Sequence, residues 1–383
     1  MKKFFCALFS LVVLCLAAFA DGSVPVSAPS VSARSACLMD SVTGEILYEK
    51  NARLPLPMAS TTKIMTALVI LERCDPDAVV EIDPRAVGTE GSSMYLTNGE
   101  KLSVRDLLFG LLLQSANDAA AALALYVSPT LEDFSALMNQ KAAELGMKDS
   151  RFLNPSGLPQ PGHRSSAFDL ALLMRRALKE PLFRALSGSK TYRCPSPDSS
   201  YRYLSNHNKL LWRDPRCVAG KTGYTVEAGR CLVTAAEKDG AGLIAVTLDA
   251  SDDWNDHVSL FDYGFGLYSP VTLCREGELV CDIPVVGSLT ESVRATNSSA
   301  FTVSLRDNSD IRTVFECPRF LYAPVCPGDA DPLRVEIPVG RAVFYSGGAE
   351  IGSVWLYTVD GADYYVPPTL WERILAFFGF ERH

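Results

Sequence analysis

The 383-residue chain predicts an α+β domain with an antiparallel sheet and helices, then a small all-β domain, then a C-terminal amphipathic helix. Three observations carry this prediction. Strand-like hairpin patterns stand at both ends of residues 32–270, with helical patterns between them. Over residues 271–366 only short strand-like stretches remain between turns. After Pro367-Pro368 the pattern turns helical and apolar on most sides. A hydrophobic fraction of 48% with 21% charged residues is ordinary globular composition and excludes wholesale disorder. Lys+Arg 36 against Asp+Glu 44 gives a net charge of −8, with no basic run, which excludes nucleic acid as a partner.

The elements follow in order. Met1-Lys2-Lys3, an apolar run from Phe4 to Phe19 and Ala18-Phe19-Ala20 make a secretory leader over 1–20, so the protein is expected to be exported. A Ser/Pro/Val-rich linker covers 21–31. Residues 36–50 form a hairpin turning at Thr43-Gly44-Glu45. Over 60–73, Ile64, Ala67, Leu68 and Leu71 recur on one helical face. Ser103 and Asp106 make a capping box for a helix through Leu113. Further helices are expected over 118–126 and 169–178. From Cys217 the period falls to two, and the stretches 231–235 and 243–247 flank a Lys238-Asp239-Gly240 turn. In the all-β region, strands are expected over 278–286, 300–305, 333–339, 342–345 and 354–358. The terminal helix, 367–383, carries a Thr369/Glu372 capping box and an apolar surface of Leu370, Trp371, Ile374, Leu375, Phe377 and Phe378. It is too short to cross a bilayer and is expected to lie in the interface at the outer face of the cytoplasmic membrane, the alternative being docking on the protein's own core.

Of eleven cysteines, Cys6 and Cys15 leave with the leader. Nine remain: Cys37, Cys74, Cys194, Cys217, Cys231, Cys274, Cys281, Cys317 and Cys326. The odd number leaves at least one thiol free or bonded between chains. There is no C-x-x-C, and His163, His207, His257 and His383 do not cluster with cysteines, so no metal is expected. Pairing is open: disulfides of an exported protein, or buried thiols acting as small hydrophobes.

Three short motifs carry chemistry: Ser60-Thr61-Thr62-Lys63, Ser115-Ala116-Asn117 and Lys221-Thr222-Gly223. Ser60 and Lys63, one helical turn apart, share a face, which lets the amine take the hydroxyl proton. A serine hydroxyl needs such a base to become a nucleophile. Lys63 serves only if burial and nearby positive charge lower its pKa, and Lys221 is the candidate for that charge. Placed at a helix start, the Ser60 N–H is free to stabilise an oxyanion. A second S-x-x-K, Ser187-Gly188-Ser189-Lys190, is discounted: Gly188 disfavours a helix, no S-x-N follows and no amphipathic run begins there. Gly220-Lys221-Thr222 mimics a P-loop ending, but Pro215 stands where its first glycine would be.

The combination resembles the low-molecular-weight penicillin-binding proteins, serine-type D-Ala-D-Ala carboxypeptidases of the peptidase S11-like family. Beyond the triple, the similarity runs through the segments 57–67, 91–96, 111–120, 152–158, 221–225 and 261–265. It covers roughly 32–268 well and the β-domain only in layout. It implies a penicillin-binding-protein/β-lactamase-like fold, with Ser60 as the acylated nucleophile, Lys63 its base and Ser115 a proton relay to the leaving amine. Asn117, Lys221, Thr222, Gly223 and Tyr224 would bind substrate, Lys221 and Thr222 taking the terminal carboxylate. The N–H groups of Ser60 and Tyr224 would form the oxyanion hole. The implied partners are peptidoglycan stem peptides ending in D-Ala-D-Ala and β-lactam antibiotics, and no cofactor is implied. Many relatives carry an Arg shortly before the Asp262-Tyr263-Gly264-Phe265 block. Here the segment 252–257 has none, so the carboxylate rests on Lys221 and Thr222 alone or on a further cation. A serine β-lactamase is the alternative enzyme, but no E-x-x-x-N follows the middle motif at a suitable distance. A non-catalytic penicillin-binding scaffold is the other alternative, against which the intact Ser60, Lys63 and Lys221 argue.

Overall fold

The computed structural model describes residues 27–197, 200–306, 309–323, 325 and 338–363, with the isolated positions 365, 367 and 373. The leader, most of the linker and nearly all of the 367–383 segment lie outside the described residues, as does most of the strand expected over 333–339.

The first domain is built on five antiparallel strands in the order Ile46–Lys50, Ser35–Asp40, Ala241–Ala250, Gly229–Lys238, Cys217–Thr225. Its two ends meet in the middle of the sheet, where Leu38 pairs with Ala245. Asp239 and Gly240 both have positive φ, 50° and 82°, the pair that a tight hairpin turn needs. This leaves Cys217–Thr225, which carries the Lys221 motif, as an edge strand.

Helices cover both faces. The helix Asp253–Phe265 packs Leu260 and Phe261 against Leu38 and Leu243 on one side. On the other lie Ala167–Ala177 and a layer of Lys63–Leu71, Val104–Leu113, Asn117–Val127 and Leu131–Glu144. Every residue from Lys63 to Ile70 is buried. Apolar residues on all its faces make this the central helix, and it carries the amine of Lys63 inside with it. The capping box is formed: the Ser103 hydroxyl accepts the Asp106 N–H at 3.0 Å, and Asp106 accepts from the Ser103 N–H at 3.2 Å.

The structure departs from the sequence reading in five helical places, two of them the unread helices Leu210–Arg213 and Asp253–Phe265. The helix expected from residue 60 begins at Lys63, and Ala59–Thr62 is a 3-10 turn. There Thr61 and Thr62 turn their hydroxyls back onto the carbonyls of Met58 and Ala59 (2.7 and 2.8 Å), tightening the entry. Leu131–Glu144 was not read because its buried stripe is narrow and includes Ser135. Pro181–Gly188 was missed for its brevity, and it ends at Gly188. Ser187 there is bonded to the Phe183 carbonyl and Lys190 lies past the helix, so the second S-x-x-K shares no helical face.

The second domain pairs Tyr268–Cys274 with Phe301–Arg306. Beside them stands a sheet in the order Ile311–Glu316, Gly340–Ser346, Ala349–Thr358, Ser292–Asn297, Val280–Val286, Leu321–Tyr322. Three of these strands went unread: Ile311–Glu316 buries no side chain fully, Leu321–Tyr322 is two residues long, and Ser292–Asn297 alternates but over only six residues. The domains are joined by Tyr268 donating to Asp40 (2.5 Å), by Ser304 donating to the Asp239 carbonyl (2.7 Å) and by an Arg306–Glu45 ion pair (2.6 Å). A cavity of about 680 Å³ lies at this joint, lined by none of the motif residues.

The described cysteines are unbonded. Burial pushes the thiols of Cys37, Cys194 and Cys231 up to about 12, which makes them inert small hydrophobes. Cys281 and Cys317 differ: both are half-buried and their sulfurs lie 3.7 Å apart. A mild disulfide oxidant should couple this pair, lowering the intact mass by two hydrogens. Closing that 36-residue span should add about 4 kcal/mol to β-domain stability in the chain-entropy account, read as a higher melting temperature. A Cys317→Ser control should show neither change.

Candidate active site

The three motifs meet where the central helix, the helix Asn117–Val127 and the edge strand converge. Ala59 is held at φ 47°, a left-handed conformation that costs a residue with a Cβ, and Ser60 stands next to it. A chain of hydrogen bonds holds the turn. The Leu153 N–H donates to His163 Nδ1 (3.0 Å), leaving His163 Nε2–H to donate to the Thr62 hydroxyl (2.8 Å), which itself donates to the Ala59 carbonyl. Burial, and then the charge of Lys63, lower the His163 pKa to about 4, so the ring stays neutral in this role.

Lys63 is fully buried and its Nζ has three neighbours: Ser60 Oγ at 2.9 Å, Asn117 Oδ1 at 2.7 Å and the Ser156 carbonyl at 2.6 Å. Burial pulls its pKa well below the usual lysine range, the charge of Lys221 adds to this and Asp118 opposes it. Lys221 is 1% exposed; burial alone lowers it to about 7, and its Nζ donates to the Thr222 carbonyl at 2.8 Å.

Asn117 is fixed at both ends, since its Nδ2 donates to the Glu90 carbonyl at 2.6 Å. Its neighbour Asp118 gathers the 91–96 loop, accepting from Ser93 Oγ (2.6 Å) and from the N–H groups of Met94 (3.1 Å) and Leu96 (3.0 Å). Ser115 has φ 59° in the turn between two helices and is 6% exposed, and its hydroxyl makes no hydrogen bond to Ser60 or Lys63. Gly223 presses its backbone against the Ser60 turn: a Cβ there would lie 3.0 Å from the Ser60 nitrogen and 2.9 Å from the Met58 oxygen. Tyr224, 67% exposed, stands on the rim. Thr222 faces the opposite side of the strand from Lys221.

One participant escaped the sequence reading. The Ser156 carbonyl acts through its backbone, which no side-chain motif reveals; the signal available was Asn154, whose Oδ1 accepts the N–H of Ser156 (3.2 Å) and of Gly157 (2.7 Å) to form the loop.

A serine hydroxyl against a buried, deprotonatable lysine, beside a glycine-backed N–H, defines a serine acyl-enzyme hydrolase on an α+β scaffold with helices on both faces of its sheet. The chain belongs to the D-alanyl-D-alanine carboxypeptidase family, peptidase S11, whose model matches residues 23–252. It is 34% identical over 291 residues to the D-alanyl-D-alanine carboxypeptidase DacF of Bacillus subtilis, covering 74% of this chain and 75% of that one. It is 38% identical over 265 residues to DacC of Escherichia coli, spanning 64% of each chain. The crystal structure of the D-alanyl-D-alanine carboxypeptidase DacD from Francisella tularensis superposes with a TM-score of 0.63 at 25% identity, over 90% of this chain and 97% of that one.

Proposed function

We propose that the protein removes the terminal D-Ala from peptidoglycan stem peptides through an acyl-Ser60 intermediate, and that β-lactams acylate the same serine. One observation carries the proposal: the three neighbours of Lys63. A neutral amine has two N–H groups and one lone pair. The Ser156 carbonyl and Asn117 Oδ1 can only accept, so they take both N–H groups. With the amine neutral, its lone pair faces the Ser60 hydroxyl at 2.9 Å and competes for that proton with the Ser156 carbonyl, 3.4 Å from Ser60 Oγ, so the base stands within reach of the proton it must take.

In the first step Lys63 takes that proton as Ser60 Oγ attacks the penultimate carbonyl carbon, and the oxyanion sits on the N–H groups of Ser60 and Tyr224. Ser115 relays a proton to the departing D-Ala amine. Water then cleaves the ester, Lys63 again serving as base. Asn117 holds the substrate's backbone amide, and Lys221 and Thr222, from the two faces of the edge strand, take the terminal carboxylate by charge and by hydrogen bond. Supporting an extracytoplasmic place are the leader pattern of 1–20 and the substrate class. The apolar 367–383 pattern supports attachment to the outer face of the cytoplasmic membrane; among the described residues no helix is long and apolar enough to cross a membrane.

The test is intact mass after adding benzylpenicillin, beside Ser60→Ala, followed by D-Ala release from a D-Ala-D-Ala peptide. A lasting one-drug adduct on the wild type alone, with D-Ala release, is expected. Consumption of the drug with no lasting adduct would replace this reading with a β-lactamase. Neither adduct nor consumption would leave a non-catalytic scaffold.

A further inference from the structure

One corner of the β-domain turns large apolar side chains outward. The edge strand Leu321–Tyr322 pairs in parallel with the end of Val280–Val286, placing Val286 opposite Tyr322. Side chains alternate across a strand, and here the larger ones face water. Leu321 packs on the domain core and Ala323 is buried, whereas Phe320 and Tyr322 are exposed, Tyr322 to 71%, with their rings 5.2 Å apart. Val286 beside them is exposed as well. The chain then turns through Gly287, at φ 86°, and the Val285 N–H donates to the Glu291 carbonyl (2.9 Å) to close the turn. Small and polar residues dominate such turns, yet Leu289 stands in this one, 78% exposed.

The chain returns to the same corner before residues 367–383. Ala362 bridges Val325, and the Tyr365 N–H donates to the Gly287 carbonyl at 2.8 Å with its side chain exposed. Two residues on, Pro367 opens the stretch that carries Leu370, Trp371, Ile374, Leu375, Phe377 and Phe378. The joint with the first domain uses the other edge of the sheet order, where Ser346, Gly347 and Glu350 line the cavity.

We infer that this corner is a second lipid-contact surface, with Leu289, Phe320, Tyr322 and Tyr365 entering the interface of a phospholipid bilayer beside the 367–383 segment. The inference rests on the reading of that segment as interfacial and extends the contact to the folded domain. Continuity favours lipid as the occupant: a segment lying in the interface from Pro367 onward brings Tyr365, and the corner bonded to it, to the same plane. Composition agrees, since tyrosine keeps its hydroxyl among the headgroups while its ring is immersed. A net charge of −8 offers no attraction to anionic lipid, so apolar area must supply the retention. Docking of the segment on the corner would cover only one side of a pattern that is apolar on most sides. Two points of contact also set the orientation of the β-domain on the surface, which a single tether does not.

The test is flotation of the chain without its leader, residues 21–383, with vesicles of phosphatidylethanolamine and phosphatidylglycerol. The wild type is compared with Leu289→Ser/Tyr322→Ser and with Trp371→Ser/Phe377→Ser. The wild type should bind, and raised salt should not release it. The corner variant should bind about 10-fold more weakly or worse, because two large apolar side chains no longer leave water. Its melting temperature and its rate of acylation by benzylpenicillin should stay at the wild-type values, since both replaced side chains already face solvent in the free protein. The segment variant should weaken binding too. A corner variant that binds like the wild type, beside a released segment variant, would overturn the corner and leave the reading of 367–383 standing. A wild type that does not bind vesicles would overturn both. A corner variant that melts lower without vesicles and opens 367–383 to limited proteolysis would make the corner a dock for the chain's own segment, and the lipid contact would be overturned.

Discussion

Lys63→Met should fold and yet react with benzylpenicillin about 10³-fold more slowly than the wild type, the range expected when a general base is removed. Methionine matches the length and volume of the lysine stem in a helix whose residues from Lys63 to Ile70 are all buried. The change removes a buried amine that burial already disfavours in its charged form. It leaves the Ser156 carbonyl and Asn117 Oδ1 without their donors, at about 1–3 kcal/mol each, a loss that a chain of this size survives. What does not survive is the acceptor for the Ser60 proton. The pH dependence separates this from a structural effect. The base works only when deprotonated, so wild-type acylation rises with pH through the lowered pKa of Lys63 and levels off well below the usual lysine range. The methionine variant should lose that levelling-off, keeping only a small rate that shows no plateau. A variant that keeps both the rate and the rise would show that another group takes the proton.

How much of this site could be read from the chain depends on which atoms do the work. Side chains at fixed spacing were legible: Ser60, Lys63 and Asn117 stand at helix starts, and Lys221 lies in the middle of an edge strand whose period of two the sequence also marks. Hairpins with a positive-φ pair, such as Asp239-Gly240, were legible for the same local reason. Long-range contacts were not. The Ser156 carbonyl reaches Lys63 across 93 positions of chain, and Arg230 reaches Asp253 across 23, and neither leaves a periodic trace. The weak strands of the β-domain went unread because their side chains lie half in solvent, where selection for alternation is slack.

Gly157→Ala should damage both stability and catalysis, and for one geometric reason. Gly157 has φ 86°, and an added Cβ would lie 2.0 Å from the Ala59 oxygen and 2.4 Å from its carbon. Both are backbone atoms, so no rotamer change relieves the contact. Ala59 is itself left-handed and its carbonyl is fixed by the Thr62 hydroxyl, which His163 holds in turn. Relief must therefore come by moving the Ser60 turn or the loop that carries the Ser156 carbonyl, and these are the two sides of the Lys63 amine. The expected cost is about 3 kcal/mol or more in denaturant unfolding, because strain at the left-handed position adds to the clash. Acylation by the folded fraction should fall about 10²-fold, since a shift near 1 Å in a reacting group costs that much. Gly110→Ala is the control. A Cβ there meets Met94 Sδ at 2.0 Å, a nominally similar overlap, but with the far end of a flexible side chain. Met94 can swing aside, so that variant should acylate at close to the wild-type rate. If the two variants behaved alike, the loop around Gly157 would be packing material only, and the backbone support assigned to Ser60 and Lys63 would have to come from elsewhere.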